Sequence, residues 1–531
     1  MTARYRITLL EPPRVKSVWR RASSSEIMGT VRRNTPLHTQ PIVAGKLLEV
    51  LDGECDVEVV DGRLTSPGGE VLYKVMPYGG GRLEHYRVGL KLDSDRFRDI
   101  AQRSDILGIT VNFTQEAGVA ADVGWHARKI NPRLKLIYAG SDVRARVDHY
   151  LRRVGADAVI AGDGERCGPA LVRALLRGES LEGLGSVAYL SNGRVRWGCE
   201  VPGEAVPIEE VALPAFHLVK DDLAQWVESH EGDLPEGVQT PLAYVETSRG
   251  CHERCSFCYS AGLKYRAMKP PQIERYARHL KEWGIRSLLM MADNELTPIL
   301  MPRVRDAGMS GRDLIIERFR IFRDHGFCWE FSNGLQYSMF RRDGRLDGAL
   351  IDEMFSGCYR LFTPIEDPLD LPYEKLHGTP AERRLARRAN EDIFREYHLE
   401  VLARIAASGV KMMTFGLMIG WPGDTLERVG RVAERCRMLR AAIAQANPAC
   451  QILFTPFVGI PIPGTQNWAE FQSRDLIKED VVTHPEAWQF ALTTYGNFEL
   501  VEARLQMIGD LDGADALREW TSTGVYPHQR A

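Results

Sequence analysis

Three cysteines fall within eight residues, in the run Cys251-His-Glu-Arg-Cys255-Ser-Phe-Cys258. Cys55, Cys167, Cys199, Cys328, Cys358, Cys436 and Cys450 are scattered. Ten cysteines in 531 residues are too sparse for a disulfide scaffold, so the trio asks for a chemical explanation. Its spacing is C-x3-C-x2-C. Three thiolates on one tight loop can hold three irons of a cubane cluster and leave the fourth iron open to a chelating ligand. The alternative is structural zinc, which normally takes four protein ligands and pairs one C-x2-C with another at a distance. The chain has no second C-x2-C and no H-x3-H, and His252 stands too close to Cys251 to close a good tetrahedron.

The elements that must position this loop are legible around it. The motif follows an expected strand, AYVETS at 243–248, and Gly250. A helix near 271–283 comes next, followed by the apolar runs IRSLLMMADNE, CWEFSNG, YRLFTPIED, VKMMTFGLMIG and CQILFTPFVGI, separated by helical patterns. Six apolar runs in this rhythm suggest a partial or full parallel (β/α) barrel, whose strand-end polar groups face the active site. We assign 241–468 to it, with a helical C-terminal region at 469–531.

The front of the chain alternates in the same way. RITLLEPP reads as a buried strand ended by prolines, PIVAGKLLEVLDGE as a helix stopped at Gly53, and CDVEVVDGR as a strand closing on Asp61-Gly62. SDILGITV (104–111), a helical stretch up to Asn131-Pro132, LKLIYAG (134–140) and ADAVIAGDGE (156–165) continue the pattern. Alternation of this kind gives a parallel, helix-covered sheet, so the fold class is α/β and residues 1–200 form a doubly wound, Rossmann-like domain. Residues 201–240, rich in Pro, Glu and Gly, read as a connector.

Composition narrows the partners. A 44% hydrophobic and 26% charged chain with 68 basic and 71 acidic residues has a net charge of −3, which creates no global field for nucleic acid or an anionic membrane. No stretch approaches the ~20 apolar residues of a membrane span, and the start does not read as a signal peptide. The expected location is the cytoplasm.

On the residues of its cysteine loop, the chain resembles the radical S-adenosylmethionine (SAM) superfamily, whose signature is C-x3-C-x-aromatic-C, with Phe257 at the aromatic position. The resemblance implies a [4Fe-4S] cluster on Cys251, Cys255 and Cys258. The open iron would bind the amino and carboxylate groups of SAM, and an electron would cleave it to a 5′-deoxyadenosyl radical. Downstream, Met291-Ala-Asp-Asn-Glu295 stands where the family contacts the methionine end, which assigns Asp293, Asn294 and Glu295. Ser332 and Asn333 end the third strand and Glu366 follows the fourth, with helix capping or loop structure as their alternative. Phe415-Gly416-Leu-Met-Ile-Gly420-Trp-Pro-Gly423-Asp-Thr425 is similar to the family's fifth strand, where Gly416 and Gly420 would let the backbone approach adenine. Ile462-Pro463-Gly464-Thr465 resembles the P-x-P-G-T turn of cobalamin-dependent members.

The front domain resembles the cobalamin-binding domain of one large subgroup. LLEPP, VEVVDGR, SDILGITV, LIYAGSD and VIAGDGE stand in the order of its usual phrases. Gly140, Ser141, Asp142, Gly162, Gly164 and Glu165 would lie along the corrin and its nucleotide tail, with Asn112 and Thr114 of the 112–115 loop near the lower face of cobalt. The D-x-H-x-x-G signature of a histidine ligand is absent, and His149 lies outside such a pattern. The same phrases suit a nucleotide-binding or structural domain, because a fold does not fix its ligand. Cys167 is either a ligand contact or a buried small side chain.

Together the two halves imply a substrate between cobalt and the adenosyl radical, and methyl transfer from methylcobalamin to an unactivated carbon of a small molecule or peptide. Two SAM molecules would be consumed per product. An electron donor such as flavodoxin or ferredoxin would be required, and neither nucleic acid nor membrane is an expected partner. Cyclisation, ring rearrangement, or a front domain that binds a carrier and no cobalamin stay open. Tyr337, Arg360, Glu366 and Asp367 are equally substrate contacts or packing residues.

Overall fold

In the computed structural model, residues 4–20, 25–28, 34–64, 69–78, 81–199, 207–229, 234–300, 308–342, 344–365, 394–419, 425–458, 461–477, 484–485, 506–507 and 509–512 are described. The chain separates into two compact units, the first built mainly from residues 1–225 and the second mainly from 226–461.

The first unit carries strands β1 (Tyr5–Glu11), β2 (Arg14–Arg20), β3 (Ser25–Met28), β4 (Cys55–Asp61), β5 (Glu70–Tyr78), β6 (Gly81–Val88), β7 (Ile106–Thr110), β8 (Lys135–Ala139), β9 (Ala158–Ile160), β10 (Val187–Ser191) and β11 (Arg194–Trp197). Its main sheet has the order β11-β10-β9-β8-β7-β1-β4. From β4 to β9 all pairings are parallel, while β10 and β11 extend the sheet antiparallel. Counted along the chain, the parallel strands run 2-1-3-4-5, so the order reverses between β1 and β7, and ligands of such sheets lie at the carboxyl edge there.

Side chains of a strand alternate between faces, and here both faces are apolar. Leu10, Leu107, Ile109 and Tyr138 pack with helices α2 (Asp95–Arg103) and α3 (Ala117–Ile130). Ile7, Ile106, Ile137 and Ile160 pack with α1 (Thr39–Val50) and with the helix Gly164–Arg177. The doubly wound expectation therefore holds.

An antiparallel sheet of order β3-β2-β6-β5 is inserted in the same unit, and no sequence pattern announced it. On one of its faces the fully buried Ser17 and His85 bond to each other at 2.8 Å between Val15 and Leu83. That polar pair breaks the apolar alternation by which a strand is recognised.

The expected connector divides between the units. Ala215 N–H donates to the Pro41 carbonyl of α1 at 2.8 Å, and Phe216 is buried. In the second unit Trp226 is fully buried, and the Ser287 hydroxyl donates to the Gln239 carbonyl at 2.6 Å.

The second unit holds β12 (Leu242–Val245), the short pair β13 (Ser248–Arg249) and β14 (Arg266–Ala267), β15 (Ser287–Met290), β16 (Cys328–Phe331), the short pair β17 (Arg341–Arg342) and β18 (Arg345–Leu346), β19 (Cys358–Ile365), β20 (Met412–Ile419) and β21 (Gln451–Val458). Strands β12-β15-β16-β19-β20-β21 form one sheet, parallel throughout and in chain order. No pairing closes β12 onto β21 among the described residues, so the barrel is partial. Phe319, from the helix Gly311–Asp324, lies 5.2 Å from Trp329 and 5.5 Å from Phe331, and Phe355 lies 5.3 Å from Phe331, between ring centroids. Each such contact contributes about 0.5–1.5 kcal/mol beyond area burial, which fixes the helix layer on one face of β16. The helix Gln466–Ser473 begins the expected helical tail. Most of 469–531 lies outside the described residues.

Candidate active site

The cysteine loop leaves the sheet through β13 and returns through β14, and the pairing of Ser248 with Ala267 and Arg249 with Arg266 pinches its base. Gly250 has φ +80°, and a Cβ there would stand 2.4 Å from the Lys264 carbonyl oxygen. Only glycine fits this approach. Asp293, just past β15, accepts from Gly250 N–H at 2.7 Å and from the Ser260 hydroxyl, so one carboxylate holds both ends of the motif. Backbone N–H groups of Glu253 and Ser260 donate to the sulfurs of Cys251 at 3.4 Å and Cys258 at 3.3 Å. Asn467 N–H donates to the Ser256 carbonyl at 2.9 Å.

None of the three cysteines is in a disulfide and all are half-buried, and Phe257 is half-buried beside Cys258. Burial pushes Cys251 up to about 11 and also raises Cys258, with the charge of Asp293 adding to both. Iron binding must displace these protons. The N–H donors to sulfur favour the thiolate that would result, and N–H···S bonds of this kind tune clusters. The loop thus fits a three-thiolate cluster in donor type and in hydrogen bonding.

The residues expected at the other strand ends divide. Asn294 Oδ1 accepts from Leu296 N–H at 3.0 Å and shapes the turn. Glu295 is buried and turned toward the helix Gly311–Asp324, where it pairs with the fully buried Arg318 and accepts from the Thr247 hydroxyl at 3.1 Å. Ser332 donates to Glu330 at 2.8 Å. Glu330 also receives the Ser229 hydroxyl and pairs with Arg360 at 3.4 Å, and Arg360 Nε lies 3.2 Å from the Met412 sulfur. Glu330, Arg360 and Met412 therefore share one sheet face, opposite the Trp329 face. The two-residue repeat puts Ser332, Thr414 and Gly416 on that same face nearer the carboxyl edge. Asn333 donates to the Met291 and Ala292 carbonyls at 3.3 and 3.1 Å, tying β16 to β15. Arg360 and Tyr337 are packing residues, both buried, with the Tyr337 hydroxyl 2.7 Å from His398 Nδ1. Glu366, Asp367 and Gly420 lie outside the described residues.

At the carboxyl edge of the first unit, the loops after β7 and β8 interlock. Gly140 has φ +120°, and a Cβ there would stand 2.3 Å from the Val111 carbonyl oxygen. Ser141 N–H donates to Asn112 Oδ1 at 3.3 Å. Asp142 is fully buried and accepts from Thr114 at 2.6 Å, from Tyr150 at 2.6 Å and from Arg146 at 2.5 Å. Its carboxylate faces the interior. Burial together with Asp142 raises Tyr150 well above its ordinary value. Gly162 approaches Ser186, whose hydroxyl would lie 2.6 Å from an added Cβ, and Gly164 abuts Val43 of α1 at 3.4 Å on the same measure. Glu165 and Cys167 are buried near the start of the helix Gly164–Arg177, and Cys167, its thiol pushed up to about 12 by burial, is a core residue. Burial holds His149 down at about 4.

Two features there were not read from the sequence. Arg14, after β1, pairs with Glu116, after β7, across the point of strand reversal, and it also meets Glu11 at 3.3 Å. Charges so far apart along the chain carry no local signal. The second feature is a half-buried patch on the sheet. Leu9, Gly108 and Ala139 sit on the central strands β1, β7 and β8, yet they are only half-buried, as is Val43 of α1. Central strands of a covered sheet are ordinarily sealed, so the helices leave part of this face open.

The radical SAM superfamily profile matches residues 245–436. An uncharacterized methyltransferase of Pyrococcus horikoshii is 30% identical over 208 residues, 37% of this chain and 42% of that protein, so the match spans less than half of that relative. Cytidylyl-2-hydroxyethylphosphonate methyltransferase of Streptomyces wedmorensis is 23% identical over 82% of this chain and 78% of its own length. Among solved structures, the cobalamin-dependent SAM radical enzyme OxsB, with aqua-cobalamin and SAM bound, aligns with a TM-score of 0.63 at 15% identity, covering 96% of this chain and 67% of that one. TsrM, the radical SAM methyltransferase of Kitasatospora setae with cobalamin and a [4Fe-4S] cluster bound, aligns at 0.56 and 14%, covering 89% and 78%. Residues 245–436 therefore belong to the radical SAM superfamily, and the two units have the folds found in cobalamin-dependent radical SAM enzymes.

Proposed function

We propose that the chain is a cobalamin-dependent radical SAM enzyme, a C-methyltransferase acting on an unactivated carbon of a small molecule or peptide. The observation that carries the reading is the C-x3-C-x2-C loop, pinched by β13 and β14 and braced by Asp293 at the carboxyl edge of a parallel sheet. Cys251, Cys255 and Cys258 hold the cluster. Ser332 and Gly416, on the face turned away from the Trp329 helix layer, are candidates for SAM contact, and Glu366 and Gly420 stay proposed there from sequence alone. Glu295 supports the site from behind through Arg318, and Asn294 shapes the turn that carries Asp293.

In the first unit the half-buried patch at Leu9, Gly108 and Ala139 suits the nucleotide tail of cobalamin, because Gly108 and Ala139 carry little side chain where a ligand would approach. Asn112, Thr114, Gly140, Ser141 and Asp142 form the rigid rim on which a corrin would rest, and Gly162, Gly164 and Glu165 lie at its far side. When bound, the cluster with SAM supplies radical hydrogen abstraction and methylcobalamin supplies the methyl group. No described helix is long and apolar enough to cross a membrane.

The test is iron and cobalt analysis with an anaerobic absorbance spectrum of protein reconstituted with iron, sulfide and hydroxocobalamin. It is run beside the Cys251→Ala, Cys255→Ala, Cys258→Ala triple variant. Cobalt near one per chain in both, with iron lost only in the variant, is the expected result. Iron without cobalt removes methylcobalamin from the reading, and neither metal overturns it.

A further inference from the structure

The cysteine loop carries one charge that its shape does not require. We propose that the buried carboxylate of Glu253 sets the reduction potential of the cluster and holds it low. The inference rests on the proposed cluster and concerns a side chain that the C-x3-C-x2-C spacing does not call for.

Glu253 stands between Cys251 and Cys255, and its backbone secures the loop in two directions. Its N–H donates to the Cys251 sulfur at 3.4 Å, and its carbonyl accepts from Gly262 N–H at 3.1 Å. Almost any residue could supply those two bonds. The side chain is a separate matter, because Glu253 is only 6% exposed. Both carboxylate oxygens are shut off from solvent, and among the described residues neither has a hydrogen-bond partner. His252 Nε2 lies 2.7 Å from Oε1 but out of hydrogen-bonding alignment. The other imidazole nitrogen, Nδ1, is 3.2 Å from the hydroxyl of the buried Thr297, whose N–H donates to the Asn294 carbonyl. His252 and its neighbour are therefore held against the turn after β15. A buried carboxylate with so little compensation is costly to a fold, and a neutral side chain of the same length would avoid that cost.

The field of this charge falls on the sulfurs. Burial is the largest cause of the raised Cys251 thiol, and among the charges that add to it Glu253 comes first and Asp293 second. A charge that resists a negative sulfur also resists the electron that reduction brings to a cluster on that sulfur. Potentials of iron–sulfur clusters follow the net charge and solvent exposure around them, and a charge away from water acts through a low dielectric. Arg254, the next residue, is exposed, so solvent screens it. The Asp293 carboxylate is engaged by Gly250 N–H and the Ser260 hydroxyl. With its potential held low, the reduced cluster is a stronger one-electron donor to the SAM it binds.

The experiment uses the full chain reconstituted with iron and sulfide, in the absence of SAM, and an anaerobic redox titration followed by the electron paramagnetic resonance signal of the reduced cluster. Glu253→Gln keeps the size of the side chain and removes its charge. It should raise the midpoint potential by about 59 mV or more, a tenfold change in the reduction equilibrium. Glu253→Asp keeps the charge and should change that equilibrium less than about twofold, with iron content equal to wild type in both variants. An unchanged potential in Glu253→Gln, the result if His252 cancels the charge, overturns the proposal. So does an equal rise in Glu253→Asp, which would make size the cause. Loss of iron from either variant also counts against it, because the side chain would then be an anchor of the loop. A wild-type chain that holds no iron after reconstitution is instead a failure of the function reading.

Discussion

The cysteine loop and the interlocked loops after β7 and β8 both stand at carboxyl edges of parallel sheets, and both depend on a glycine at positive φ. They differ in where their carboxylates point. Asp293 is half-buried and holds the ends of a loop whose thiols stay available. Asp142 is sealed inside, with its oxygens taken by Thr114, Tyr150 and Arg146. One loop is built to present donors and the other to present a shape. Ligand binding at the first should therefore depend on particular atoms, and at the second on packing.

The sharpest way to break that contrast is to remove a thiol. Cys258→Ala should abolish iron retention and activity while cobalt binding and the unfolding midpoint stay near wild type, read by metal analysis and thermal unfolding. Asp142→Ala should act the other way. It removes the buried carboxylate that Thr114, Tyr150 and Arg146 share, a loss of about 3–5 kcal/mol, so denaturant unfolding should show a destabilised first unit. Ala139→Leu would enlarge a side chain on the half-buried patch of β8 and should weaken hydroxocobalamin binding about tenfold in a titration, with iron content unchanged. Were cobalt binding indifferent to Ala139→Leu, this patch would have no part in it. Gly250→Ala should cost about 1–3 kcal/mol of local strain and lower cluster occupancy without touching cobalt.

The smallest effect separates scaffold from site. Burial, with Arg435 nearby, holds His398 down at about 3, so the folded protein keeps it neutral. Its stabilising contribution is complete above pH 6.5 and is lost as pH falls toward 3, because the unfolded chain binds the proton first. Between pH 7 and pH 5 the loss is about 2 kcal/mol, and His398→Gln should flatten this part of the acid-unfolding profile.

These regions were unequally legible. The strand-helix rhythm gave both parallel sheets, because their strands are short, mainly apolar runs separated by helical patterns, and the cysteine spacing announced its own chemistry. Glu295 was expected at the cofactor, yet the partner that claims it, Arg318, stands on a separate helix with no sequence mark. The inserted antiparallel sheet was hidden by the Ser17–His85 pair. Arg14 and Glu116 meet only because the strand order reverses between their strands. Partners chosen by topology leave no period in the sequence, whereas partners chosen by a face of one element do.

The β13–β14 clamp has a consequence for how the protein is made. By joining Ser248 to Ala267 and Arg249 to Arg266, it closes the loop with backbone hydrogen bonds that need no metal. The entropy of bringing the loop ends together is then lost during folding of the polypeptide, and a metal arriving later has only the thiols left to arrange. Maturation can therefore follow folding in time, and stripping and refilling the iron should be a cycle the folded chain survives.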